Sequence, residues 1–298
     1  MNLNELRNQY QHISSINFSE HEDGMIHINV CNAHASGSIC LYGAHVMSFT
    51  PAGEEDILWM STESYRKKGK PLRGGVPLCW PWFGAHPQDE SLPAHGLARL
   101  ADWEFNSASE TLESTIVELK LTSGDYSKKY WSNDFELLYR VSIGKELKLE
   151  LTTTNTGSAD FSIAEALHTY FNISDISNIR VSGFDGCAYT DTLTCTEEVQ
   201  QGDITFNAET DRIYHDPAPE SVIHDPGKSR KIINLRSNSR SAVMWNPWIA
   251  KSQRMPDFGD REYPGMLCVE TANVRKNALT IKPGATHSMS AMISSIKQ

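Results

Sequence analysis

The strongest pattern along this chain is a period of two. Leu147, Leu149 and Leu151 alternate with Lys148 and Glu150, as a strand with one buried face requires. Ile26, Ile28 and Val30 alternate in the same way, and further strands are predicted over 36–41, 45–49, 57–60, 103–106, 115–121, 135–143 and 147–154. Gly144-Lys145, between two such runs, predicts a hairpin. The second half continues with candidates at 161–171, 178–182, 204–206, 231–236, 242–246, 266–271, 279–281 and 287–294. Gly183, Gly186, Gly202, Pro217, Pro219, Pro226 and Pro283 punctuate them. A helical period shows only in Leu3, Leu6, Tyr10 and Ile13, which predicts a short surface helix over about 3–13. Many short strands without helical interludes predict an all-β protein, a large antiparallel β-sandwich spanning 1–298 as a single domain.

One stretch breaks the alternation. Residues 73–84 read Arg-Gly-Gly-Val-Pro-Leu-Cys-Trp-Pro-Trp-Phe-Gly, and Ala-His-Gly-Leu-Ala-Arg follows at 94–99. Proline withholds an amide donor and Gly74-Gly75 has too much backbone freedom to stay regular, so this is a loop held in shape by its own aromatics. It is either a structural plug or a binding loop, with aromatic faces for a sugar ring and Arg73 and Arg99 for an anion.

Composition narrows the choice of partner. The chain has 298 residues and a formal net charge of −10, which argues against nucleic acid and anionic membranes. Its N-terminus lacks the charged and apolar regions of a signal peptide, and no apolar run is long enough to span a bilayer. Six scattered cysteines without a Cys-x-x-Cys pair fit reduced thiols and a cytoplasmic protein, with a Cys187–Cys195 bridge as the alternative. Against the acidic background, Arg66, Lys67, Lys68 and Lys70 form a basic run leading into Arg73-Gly74-Gly75. It is either a solvated face or the approach to an anion site that backbone amides complete.

Two strands carry candidate chemistry. Glu165 and His168 would converge as metal ligands on a helix, but on a strand they point to opposite faces, and His168 shares its face with Ala164, Ala166 and Tyr170. No zinc-type spacing occurs, so neither a metal nor a cofactor is expected. In 266–271, Leu267 and Val269 should face the core, which leaves Cys268 and Glu270 on the other face. A carboxylate there needs a partner or a cavity, and acid/base chemistry needs such a pair.

These residues together resemble a family. The 73–84 motif, His-Gly-Leu-Ala-Arg at 95–99, Ala-Leu-His-Thr-Tyr-Phe at 166–171, Thr-Asp-Arg-Ile-Tyr at 210–214, Trp-Asn-Pro-Trp at 245–248 and Cys-Val-Glu-Thr-Ala-Asn at 268–273 are similar to the hexose-6-phosphate mutarotases. That family, the glucose-6-phosphate 1-epimerases, is a branch of the galactose-mutarotase-like superfamily. The likeness runs in order from about Gly43 to the C-terminus and omits the first twenty or so residues. Leu97 stands where the family often has Phe, an apolar exchange. The resemblance implies a supersandwich with a concave active face and interconversion of α and β hexose 6-phosphates without a cofactor. It implies His168 as acid and Glu270 as base, Asp211 and His95 as sugar contacts, and Arg73 and Arg99 at the phosphate, with Lys68 and Lys70 left open. The implied partner is a small sugar phosphate met by a monomer. Two other readings stand beside it: a mutarotase of free aldoses, and a sandwich that binds sugar without turning it over.

Overall fold

The leucine alternation sits where the pattern puts it. In this computed structural model, which describes residues 1–21 and 24–298, Leu147, Leu149 and Leu151 are wholly buried while Lys148 and Glu150 face solvent. Their strand, Leu147–Asn155, pairs with Phe135–Gly144 across the expected hairpin. Ile143, Val141, Tyr139 and Leu137 supply the matching inward row. Truncating one of these leucines to Ala should cost about 2–5 kcal/mol, because a wall this tightly packed cannot collapse onto the gap.

The strands assemble into two eight-stranded sheets, a four-stranded sheet and a two-stranded ribbon. Every ladder between named strands is antiparallel. The outer eight-stranded sheet runs in the order 180–182, 220–225, 230–237, 286–297, 147–155, 135–144, 114–122, 104–110. The second has the order 196–199, 188–191, 210–215, 241–246, 266–273, 165–167, 78–79, and 170–172 also pairs with 266–273. One apolar cluster joins them, with Tyr139, Leu149 and Leu151 from the first and Leu167, Met244, Leu267 and Val269 from the second. This is the sandwich that the periodicity predicts.

Several elements differ from expectation. The helix is Leu3–Tyr10, begun by a reciprocal cap in which Asn2 accepts from the Glu5 amide and Glu5 accepts from the Asn2 amide. Residues 57–60 form only isolated bridges, Leu58 with Phe171 and Met60 with Gly74, and Ile204 makes a single bridge to Val181. The run at 161–171 is three pieces, Phe161–Ile163, Glu165–Leu167 and Tyr170–Asn172. Between them the amides of Ala164 and His168 donate to the carbonyls of Pro81 and Pro77. Cys187 and Cys195 are not bridged to each other, so that alternative is set aside. No helix among the described residues is long and apolar enough to cross a membrane.

The 73–99 stretch lies over the second sheet, and its tryptophans brace it. Trp80 is wholly buried against Phe135 and Trp131, and its indole N–H donates to Thr153 Oγ1 at 3.1 Å. Trp82 is 6% exposed and donates to the Pro93 carbonyl at 2.9 Å. Neither ring is free to stack on a sugar. Gly75 has φ +58, and a Cβ there would lie 2.2 Å from the Val46 carbonyl oxygen, so no larger residue fits. Its amide is taken by the Trp59 carbonyl, and the Gly74 carbonyl accepts from His45 Nε2 at 2.8 Å. The Gly75 amide is therefore not available to an anion. The basic run is a solvated face, with Arg66, Lys67, Lys68 and Lys70 exposed and Lys68 paired to Asp102 at 2.8 Å.

Candidate active site

The Met266–Asn273 strand is buried along its whole length but has two different faces. Leu267 and Val269 enter the main core, as their spacing predicts. On the opposite face, Cys268 packs with Tyr170, Trp245 and Phe258, and Ala272 packs with Cys79, Ala166, Ile213 and Val243. Cys79, Ala166 and Ala272 are small, which leaves room between the sheet and the covering loop. A cavity of about 280 Å³ opens there, lined by Arg73, Phe83, His95, His168, Tyr170, Asp211, Trp245, Lys251, Glu270 and Arg275 among others. That is near the lower end of the range for ligand pockets and suits a single sugar unit. A larger hollow of about 710 Å³ on the other sheet contains no histidine–carboxylate pair.

Glu270 and His168 meet on the floor of this cavity. The Glu270 side chain is 1% exposed and its Oε1 lies 3.2 Å from His168 Nε2. Glu270 Oε2 and His168 Nδ1 have no partner. Buried polar atoms are nearly always satisfied, so unpartnered ones lining a cavity mark where a ligand's polar groups go. The His168 ring stacks on Tyr170 at 4.9 Å and 10°, which fixes its plane.

The site's electrostatics resist charge on both members. Burial, with Arg99 and Arg73 adding repulsion, pushes the His168 imidazole down to about 3. Burial, reinforced by Asp211, raises the Glu270 carboxyl well above the usual range against a smaller opposing pull from Arg99. In the free site burial therefore favours the neutral imidazole over the imidazolium and the protonated carboxyl over the carboxylate.

The other expected residues are placed unevenly. His95 lies at the cavity with its ring 5.7 Å from that of His168, and its Nδ1 accepts from the Gly84 amide at 3.4 Å. Asp211 also lines the cavity, with Lys251 Nζ 4.0 Å away, and burial raises its carboxyl. Arg73 reaches the cavity but is already engaged. It donates from Nε and Nη2 to Asp257, at 3.2 and 3.0 Å, and from Nη1 to Tyr170 Oη at 2.9 Å. Although burial opposes it, Tyr170 and Asp257 hold the guanidinium firmly charged. Arg99 does not line the cavity. At the end of the loop it donates from Nη2 to the Ala94 carbonyl at 2.9 Å and has a buried Nε without a partner. Lys68 and Lys70 are outside the cavity lining.

Residues 27–294 match the aldose 1-epimerase family along nearly the whole chain. The chain belongs to that family. A relative from Salmonella typhimurium, provisionally named glucose-6-phosphate 1-epimerase, is 39% identical over 260 residues, 86% of each chain. The crystal structure of a provisionally named mutarotase from Salmonella typhimurium superposes with a TM-score of 0.88 at 34% identity, covering 97% of this chain and 100% of that one. A galactose mutarotase related enzyme from Lactobacillus acidophilus, at 13% identity and a TM-score of 0.71, shares the fold, covering 90% of this chain and 97% of that one.

Within this aldose 1-epimerase fold, the cavity holds residues that the pattern of the chain did not single out. Lys251, paired with Glu209 at 3.1 Å, and the exposed Arg275 line it, and Asp257 pairs with Arg73 from outside the lining. Asp257 and Lys251 lie in the turn-rich 248–265 segment, where no periodicity points anywhere, and only the tryptophan cluster just before it gave a signal. Tyr170 lay inside a quoted motif, but its hydroxyl bond to Arg73 depends on a loop 97 residues distant. Among the described residues, no group of three or more His, Cys, Asp or Glu side chains is placed to hold a metal ion.

Proposed function

We infer that this protein interconverts the α and β anomers of a hexose 6-phosphate, with glucose 6-phosphate as the favoured substrate. The observation that carries the reading is the buried His168–Glu270 pair at 3.2 Å, with His168 Nδ1 and Glu270 Oε2 unpartnered in two residues that line the cavity. The relatives' names support the phosphorylated substrate.

Ring opening needs a proton removed from O1 and one delivered to O5. The hydroxyls of an entering sugar solvate the carboxylate in place of water, so the pair's proton crosses from Glu270 to His168 without changing the site's total charge. Glu270 then takes the O1 proton as C1–O5 breaks and C1=O1 forms, and His168 gives its proton to O5. Rotation about C1–C2 presents the other aldehyde face. Reclosure runs both transfers backwards, so no group is consumed. Each transfer is worth about 10²–10⁴ in rate.

In this reading Asp211 and His95 hold sugar hydroxyls, and Arg73 and Arg99 serve the phosphate unequally. Arg73 keeps an N–H on Nη1 after Nε and Nη2 bind Asp257 and Nη1 binds Tyr170, enough for a charge-assisted contact to a phosphate oxygen. Arg99 acts from the end of the loop, adding positive potential and holding the Ala94 carbonyl just before His95. Lys68 and Lys70, exposed on the basic run, are left without a role. The constellation is assembled within one chain, which supports a monomer, and scattered cysteines without a Cys-x-x-Cys pair support a cytoplasmic setting. Polarimetry on fresh α-glucose 6-phosphate and on α-glucose tests the substrate. Faster equilibration of the phosphate is expected, and a clear preference for glucose would transfer the reading to free aldoses.

A further inference from the structure

We propose that Arg275 is a substrate-capturing cation, which draws the phosphate of the incoming sugar to the cavity mouth and thereby sets the enzyme's KM for phosphorylated over free sugars. This deepens the hexose 6-phosphate reading and rests on it.

The argument begins with charge. The protein carries a formal net charge of −10, and a sugar phosphate is close to a dianion at neutral pH, so the two repel at long range. Productive encounter then needs local positive potential at the site. The cations of the cavity are mostly neutralised: Arg73 by Asp257 at 3.0 Å and Lys251 by Glu209 at 3.1 Å. Arg275 lines the same cavity, is exposed, and has neither an ion pair nor a side-chain hydrogen bond among the described residues. Its charge is free to act outward.

Backbone geometry supplies a second, independent observation. Arg275 has φ +55, in the left-handed region that a long side chain rarely occupies. Such a conformation persists only where surrounding bonds over-determine it, and those bonds are present. The amides of Asn277 and Ala278 donate to the carbonyls of Val274 and Arg275, both at 3.0 Å. The buried Asn277 carboxamide donates to the Arg240 carbonyl at 2.6 Å and to Ser241 Oγ at 3.2 Å. This turn directly follows the strand that bears Glu270, so Arg275 is anchored to the catalytic strand itself.

Position separates its task from that of Arg73. Along that strand, Cys268 pairs with Tyr170, whose hydroxyl holds Arg73, and Ala272 pairs with Ala166 near the other end. Glu270 lies between the two rows. The floor therefore carries its proton-transfer pair at the centre, a neutralised arginine at one end and an unneutralised one at the other. Arg73 is built to hold a phosphate already bound, and Arg275 to attract one from solution.

The test is steady-state kinetics on glucose 6-phosphate and on glucose at ionic strengths of about 0.01 and 0.15 M, between which screening shortens from about 30 to about 8 Å. For the wild type, KM for glucose 6-phosphate should rise with salt. Arg275→Ala should raise that KM about fivefold or more at low salt, leave kcat nearly intact and blunt the salt dependence. Arg275→Glu should be worse, Arg275→Lys should restore most of the loss, and glucose kinetics should not follow the series. An unchanged KM and salt response in Arg275→Ala would overturn the proposal. So would equal losses on both sugars with a lowered Tm, which would make the residue a structural brace. A wild type that fails to accelerate glucose 6-phosphate at all would overturn the underlying reading as well, and would be seen before any substitution is made.

Discussion

His168 Nε2 lies 3.2 Å from Glu270 Oε1 in a site where burial disfavours both the imidazolium and the carboxylate. The histidine is therefore expected to stay neutral in the free enzyme far below the ordinary value of about 6.5. NMR of the imidazole nitrogens should find His168 uncharged at pH 5, with titration toward about 3. A His168 resonance titrating near 6.5 would contradict this account of the resting site.

Binding and turnover should separate. A glucose 6-phosphate analogue with hydrogen in place of the anomeric hydroxyl cannot open, yet it offers the phosphate and the remaining hydroxyls. His168→Ala should bind this analogue within a few-fold of the wild type while losing on the order of a hundredfold or more in turnover. Parallel losses in both would assign His168 to binding alone.

Arg73 and Arg99 stand differently toward the phosphate, and substitution should expose the difference. Arg73→Ala removes a charge-assisted contact, typically about 1.5–3 kcal/mol net, which at ~1.4 kcal/mol per decade is a loss of ten- to over a hundredfold in kcat/KM for glucose 6-phosphate. Arg73→Lys should recover only part, since an ammonium lacks the fork that spans Asp257, Tyr170 and phosphate. Arg99→Ala should cost less on the phosphate and more in Tm, because its bond to Ala94 holds the loop. Equal losses on glucose and glucose 6-phosphate in the Arg73 variants would remove the phosphate assignment.

Acid stability follows from a second buried histidine. His45 is 1% exposed, donates from Nε2 to Gly74, and burial lowers it to about 4. The folded state thus binds fewer protons than the unfolded chain between about 4 and 6.5, so stability is lost as pH falls through that window. His168, lowered to about 3, adds in the same sense, while Glu270, whose carboxyl burial raises, works in the opposite one, costing stability as pH rises above its ordinary value. Tm should fall on acidification from pH 6.5 to 4.5, and His45→Gln, which keeps an N–H donor for Gly74, should flatten that slope. An unchanged slope in the variant would show that His45 is not the acid-sensitive group.

The chain's pattern made the frame legible because one face of each sheet is buried in a shared core. Leu147, Leu149 and Leu151 could face only inward, and the alternation of Leu267 and Val269 with Cys268 and Glu270 correctly assigned the two faces of the catalytic strand. The pattern failed where polar residues face the cavity. No strand is predicted over Thr210–His215, because Asp211 points to the site, although Tyr214 on the other face is wholly buried. It failed again at 161–171, where amides leave the ladder to meet Pro77 and Pro81, carbonyls that no periodicity locates. Arg73 was legible as a cation beside a glycine pair, but its engagement by Asp257 was not, since 184 residues separate them.

The most direct measurement is exchange NMR between the α and β anomers of glucose 6-phosphate in EDTA, with the wild type and with Glu270→Gln. The account expects the wild type to raise the exchange rate far above that of buffer, with the chelator making no difference. Glu270→Gln should fall on the order of a hundredfold or more below it. Exchange at the buffer rate with the wild type, or undiminished exchange with Glu270→Gln, would contradict catalysis by the His168–Glu270 pair.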